Sequence, residues 1–241
     1  MDTPGGKGSI MFVHGLWLTP RSWEHWVERF EGLGYQVLAP AWPGVAEFTE
    51  PHDPDKAPAD LGVAEIVDHY TKVVEALPSK PIVVGHSFGG LIASILNDRG
   101  LVPAAVALSP APAKGVYRLP IAQLRTASVA LRNPANRHRA VKLTPKQWQY
   151  SFTNTLPEAE GRAFYDTYAI PGPGRPLFEA AAANFNPNAP TKVDFRNPDR
   201  GPMLFVAAGE DHTVPASVTR EAYKRHTRSP VRTDFKEFTG R

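Results

Sequence analysis

The sequence contains no cysteine, which excludes disulfides, a thiolate nucleophile and thiolate-held metal sites. No apolar run approaches the roughly 20 residues that a membrane-spanning helix needs. The opening MDTPGGKGSI lacks the charged and apolar regions of a secretory leader. These absences lead us to expect a cytoplasmic protein with no membrane partner. Internal repeats and low-complexity tracts are missing too, which sets aside solenoids and disordered arrays. What is present, 241 residues at 42% hydrophobic and 21% charged, is enough for one large core.

The formal net charge is +3, but residues 111–190 hold ten Lys or Arg against four acids. Such a run is ordinarily a solvated face, and Arg118, Arg125, Arg132, Arg137 and Arg139 are read that way, with recognition of a substrate carboxylate as the alternative. The basic residues are not interleaved with stacking aromatics, so no nucleic-acid partner is expected. His52 with Asp53 and Asp55 sits in a proline-rich loop without ligand spacing, so no metal site and no cofactor are expected.

Short apolar runs alternate with helical patterns, which predicts an α/β fold with a mostly parallel central sheet and helices on both faces. The strand candidates are Ile10 to Val13, Gln36 to Ala39, Ile82 to Val84, Ala105 to Leu108, Met203 to Ala207 and Thr233 to Phe238. In RSWEHWVERFEGLG, residues Trp23, Trp26, Val27 and Phe30 share one helical face. In LGVAEIVDHYTKVVEAL, residues Val63, Ile66, Val67, Tyr70, Val73, Val74 and Leu77 do the same and read as core. His25 and His69 lie on these helices as surface or satisfied histidines. From Ala111 to about Pro190 the strand rhythm stops and proline and glycine divide the chain into short helical pieces. This stretch reads as a helical lid inserted into a core formed by residues 1–110 and 191–241.

Within IVVGHSFGGL, Gly85-His86-Ser87-Phe88-Gly89 matches G-x-S-x-G, with an apolar strand before it and a helical pattern after it. A strand that becomes a helix within a few residues crowds its backbone. Flanking glycines relieve the clash and leave the serine hydroxyl exposed at the sheet edge, where the helix N-terminus favours developing negative charge. Ser87 is therefore the candidate nucleophile. IMFVHGLWLTPRSW is a strand, then a loop, then a helix, the arrangement that supplies the second half of an oxyanion hole. MLFVAAGEDHTVP ends a strand at Gly209 and puts Asp211 on the same rim as Ser87. Asp211 is either an acid for catalysis or a cap for the next helix; Glu210 is the weaker acid.

VHGLW, GHSFGG and GEDHTVP in this order resemble the α/β-hydrolase family over almost the whole chain. The resemblance implies a serine hydrolase acting on a small ester, thioester, lactone or amide. The main-chain amides of Leu16 and Phe88 would hold the oxyanion and Asp211 would orient a histidine. Trp17 and His14 are assigned to the substrate side, His14 as a loop organiser and not a base, and His86 as a packing residue. In the implied order Ser, Asp, His, the histidine follows the last core strand. Here TDFKEF is followed by Thr239-Gly240-Arg241, and none of the eight histidines lies beyond that strand. His226 comes nearest but precedes the strand, at the wrong end of the sheet or on the outer surface. His212 is too close in sequence to Asp211 to be its oriented partner. We expect the base and a closing helix to lie in a tail outside the sequence as given, leaving an apolar strip beside Phe235 or Val206. Aromatic residues between 148 and 185 would pack the lid and line the pocket. The partner is a small-molecule substrate, with a homo-oligomer left open; a non-catalytic ligand-binding relative, or a lyase, is the alternative.

Overall fold

Along Ser9–Val13 successive side chains leave opposite faces of the strand. Met11 and Val13 join one apolar cluster, while Ile10 and Phe12 join another. Two-sided burial of such a strand is what a parallel sheet between helical layers demands. The structure is a computed structural model, and it describes residues 7–48 and 58–240. His52, Asp53 and Asp55 lie outside the described residues.

The strands in chain order are β1 (Ser9–Val13), β2 (Gln36–Leu38), β3 (Ile82–His86), β4 (Ala105–Leu108), β5 (Ala140–Val141), β6 (Gly172–Pro173), β7 (Met203–Ala208) and β8 (Thr233–Phe238). Short β5 and β6 pair with each other, antiparallel. The other six form one parallel sheet in the order β2-β1-β3-β4-β7-β8. The chain moves outward from β1 to β2, then returns to β3 on the other side. Such a reversal opens a crevice at the carboxyl ends of β1 and β3.

One face of the sheet carries α2 (Val63–Glu75), α3 (Phe88–Asp98) and α8 (Ala216–His226), which enclose the larger cluster. Val63, Ile66, Val67, Tyr70 and Val74 of α2 are buried as their spacing predicts. The sequence of α3 is apolar all round, and Phe88 through Asn97 are all buried. The other face carries α1 (Glu24–Gly32), reached through a 3-10 turn over Pro20–Trp23. The Trp23 ring stacks on Phe12 with centroids 4.8 Å apart.

Beyond β3 that second face is open. A cleft of about 470 Å³ runs past Trp26, Leu108, Val206 and Phe238. The apolar strip beside Val206 is exposed there. Phe235 is not part of it, because it points to the opposite face, where its ring lies 5.3 Å from that of Tyr223 on α8.

Between β4 and β7 lie α4 (Ile121–Leu131), α5 (Pro145–Ser151), α6 (Glu158–Tyr168) and α7 (Arg175–Ala182). Helix α5 opens with a capping box in which the Thr144 hydroxyl accepts from the Gln147 amide and the Gln147 side chain accepts from the Thr144 amide. Helix α7 is tied to the core. Glu179 accepts the amide of Val63 at the start of α2, and Arg175 bridges Glu179 and Glu65.

Asn97, wholly buried near the end of α3, holds the entry to β7 with both ends of its carboxamide. It donates to Gly201 O at 3.0 Å and accepts from Gly201 N at 3.0 Å. Asn97→Leu strips both partners from the Gly201 peptide groups. We expect a loss of about 2–3 kcal/mol, read as a lower urea midpoint with an unchanged slope.

Candidate active site

Strand β3 and helix α3 meet at Ser87, whose φ of 55° and ψ of −120° are sparsely populated for any residue with a side chain. The turn closes only because two of its neighbours carry no side chain. A Cβ on Gly85 would stand 2.0 Å from Gly89 O, and one on Gly89 would stand 2.1 Å from Val13 O. The Ser87 main chain is held firmly, its amide donating to Leu108 O and its carbonyl accepting from Gly90, Leu91 and Ala111. The hydroxyl, by contrast, has no hydrogen-bond partner among the described residues, although Ser87 is 7% exposed. It stands where two cavities meet.

The loop after β1 comes up against this serine, so that a Cβ on Gly15 would lie 3.0 Å from Ser87 Cβ. The amides of Leu16 and Phe88 have no acceptor among the described residues. Trp17 holds φ at 66°, donates its indole N–H to Val141 O at 2.9 Å and accepts at its carbonyl from Ile170 N. Its side chain forms part of the wall of the cavity nearer α4.

His14 differs from expectation. It is 1% exposed and lines neither cavity. Its Nε2 accepts the Trp42 amide at 3.1 Å, so Nδ1 carries the proton and donates to Gly15 O at 2.9 Å, and its ring stacks on Trp42. It braces the loop and borders neither cavity. Burial lowers its pKa to about 4, against the opposing pull of the Gly15 carbonyl.

Asp211 follows β7. Its Oδ1 accepts from the amides of Thr213 at 2.7 Å and Val214 at 2.8 Å. These bonds hold the turn and do not cap α8, whose N-cap is Pro215. Oδ2 has no hydrogen-bond partner among the described residues. Asp211, Ser87 and His86 all border the 470 Å³ cleft. Burial holds the His86 imidazole below its ordinary pKa, and the Asp211 charge pulls it the other way. No histidine among the described residues hydrogen-bonds to Ser87 or Asp211. His212 turns away, its Nδ1 paired with Tyr150 O and its ring stacked on the Tyr150 ring.

His226 is a core residue, not an outer-surface one. Helix α8 descends from the carboxyl edge of the sheet, so its last residue lies at the far end from Ser87. There His226 packs between Phe195 and Phe205, with centroids 4.9 and 4.8 Å away, and pairs with Ala222 O.

The second cavity, about 380 Å³, runs from Ser87, Leu16 and Trp17 toward α4 and α7. Its wall is largely apolar, and Tyr117, Leu119 and Phe185 at its border are exposed by 67, 61 and 91%. Of the aromatic residues singled out in the sequence, Phe185 lines this cavity and Phe152 the other. Gln123, Val116 and Val214 also line it and carry no sequence signal, since each belongs to a segment whose fold depends on distant contacts. Arg118 borders it, while Arg125, Arg132, Arg137 and Arg139 are exposed like Arg118. Among the described residues no group of three metal-ligating side chains is placed to hold an ion, and no helix is long and apolar enough to cross a membrane.

Residues 10–237 match the model of the alpha/beta hydrolase family. Among solved structures, a monoacylglycerol lipase from Paleococcus ferrophilus aligns with a TM-score of 0.65 at 24% identity, covering 97% of this chain and 85% of that one. An extracellular alpha/beta-hydrolase from a Paenibacillus species gives 0.65 at 19% identity, with 96% and 90% covered. A putative non-heme bromoperoxidase from Mycobacterium tuberculosis H37Rv gives 0.67 at 17%, with 98% and 85% covered. At these identities the likeness is one of fold. No curated protein matches the sequence.

Burial lowers the pKa of His226, like that of His14, to about 4. Each histidine binds its proton more readily when unfolded, so stability is full above pH 6.5 and falls as pH drops toward 4. The two together make acidification costly, at about 3 kcal/mol each by pH 4. Urea midpoints measured from pH 7 to pH 4 should fall steadily, and His226→Leu should flatten the slope by up to about half, His86 adding to the remainder.

Proposed function

Given that the chain belongs to the alpha/beta hydrolase family, we propose that it is a serine hydrolase cleaving a small ester, thioester, lactone or amide through an acyl-enzyme on Ser87. The observation that carries this reading is the uncommitted Ser87 hydroxyl, held in a strained turn next to two segments whose Leu16 and Phe88 amides have no acceptor among the described residues. A residue that merely tolerated a tight turn would have no reason to face both cavities.

In this reading Ser87 Oγ attacks the substrate carbonyl carbon and the Leu16 and Phe88 amides hold the resulting oxyanion. The hydroxyl proton passes to a base in the cleft shared with Asp211, where an imidazole could donate to Asp211 Oδ2. That base returns the proton to the leaving group as the acyl bond breaks. Water then repeats the sequence on the acyl-enzyme, releasing the acid and restoring Ser87. The helical stretch 111–190 acts as a lid over residues 1–110 and 191–241, and its apolar cavity accepts one side of a small-molecule substrate.

One observation favours a second reading: no histidine is bonded to Ser87 or Asp211 among the described residues, as in a ligand-binding relative without catalysis. A fluorophosphonate probe and intact mass separate the two. The hydrolase reading predicts a single phosphonyl adduct that Ser87→Ala abolishes. It also predicts that free imidazole accelerates the Ser87-dependent hydrolysis of p-nitrophenyl esters, measured as the excess over the Ser87→Ala variant in the same imidazole, by about a hundredfold, the low end of general-base catalysis. No adduct with or without imidazole favours the binding protein.

A further inference from the structure

The cavity leading from Ser87 toward α4 has a wall that is apolar almost throughout, yet it contains one carboxamide with nothing to bond. Gln123, in the first turn of α4, is 9% exposed, and its Oε1 is buried without a partner among the described residues. Apart from Ser87 and the exposed Tyr117 and Arg118, the other polar side chains there are committed. Asn184 accepts from Gly115 N and donates to Val116 O. Thr126 shares a hydrogen bond with Ser151, and Thr213 donates to Ser151 O. Away from Ser87 and the two amides beside it, no other buried side-chain polar atom without a partner among the described residues belongs to a residue lining this cavity.

A carboxamide withdrawn from water without a partner is destabilising, so its survival in such a wall calls for a compensating group. A site with a buried hydrogen-bonding group of this kind selects ligands that satisfy it and rejects analogues that leave it unpaired. We infer that the ligand portion lying along α4 is a hydroxylated chain and not a plain hydrocarbon, with its hydroxyl bonded to Gln123. A hydroxyl both donates and accepts, so it satisfies either end of the carboxamide. Gln123 is then a specificity-determining residue, and the substrate class is an ester or related derivative of a hydroxyalkanoic acid. This rests on the hydrolase reading for the role of Ser87, but the binding preference stands without any chemistry.

The test compares alkanoic acids of increasing length with their hydroxylated counterparts, the hydroxyl moved carbon by carbon, by titration calorimetry on the intact chain. At the best-fitting position the hydroxy acid should bind about tenfold more tightly than its parent. Gln123→Leu should remove that preference while leaving binding of the parent acid equal or stronger. Gln123→Asn, which keeps the amide but shortens its reach, should move the preferred hydroxyl position and serves if the leucine variant misfolds. Equal affinities for the two series, a preference that survives in Gln123→Leu, or no binding of either series overturns the inference. Phosphonate labelling of Ser87 in the same preparations separates the two failures. An adduct without hydroxyl preference removes the specificity claim alone, and hydroxyl preference without an adduct removes the hydrolase reading alone.

Discussion

The site depends on one close packing of backbone against backbone, where Gly89 at the start of α3 lies against the carbonyl of Val13 at the end of β1. That approach draws the β1 loop beside Ser87. It also forces the strand-to-helix turn through a backbone conformation that costs free energy. The cost is borne by a helix buried along nearly its whole length and by the main-chain bonds of Ser87 to Leu108, Gly90, Leu91 and Ala111. Rigidity of this kind suits a group that must meet a developing charge without rearranging.

The other two rim loops are fastened to the stretch between β4 and β7. Trp17 reaches Val141 and Ile170, while the loop after β7 is bonded to α5 and the residues just after it. There Asn154 donates to Glu210 O, Thr213 donates to Ser151 O, and His212 pairs with Tyr150 O. The insertion therefore fixes the walls of both cavities and the position of Asp211 together. A change in α5 should reach the acid loop by direct contact, without any long-range path.

Much of this was legible in the sequence because its signals are local. Short apolar runs marked the six strands of the parallel sheet to within two residues at either end but not the two-residue β5 and β6, and the 3.6-residue spacing of Val63, Ile66, Val67, Tyr70 and Val74 marked the buried side of α2. The G-x-S-x-G spacing located the turn because one of its clashes, Gly85 against Gly89, occurs only four residues apart, although the other, Gly89 against Val13, is long-range. Roles set by distant partners were hidden. His14 is a brace because Trp42, far along the chain, donates to it, and His226 is core because Phe195 and Phe205 close over it. Gln123 looked like any polar residue on a helix, and Phe235 and Val206 could not be assigned to opposite faces before the strand's register was known.

The central claim is that the Ser87 hydroxyl and the amides of Leu16 and Phe88 converge on one point. The most direct measurement is a crystal structure of the protein after reaction with an alkyl fluorophosphonate. The account predicts phosphorus bonded to Ser87 Oγ, one phosphonyl oxygen within hydrogen-bond distance of both amides, and the alkyl group in the cavity lined by Trp17 and α4. A phosphonyl group on another residue, or an oxygen on Ser87 that points away from both amides, would contradict it.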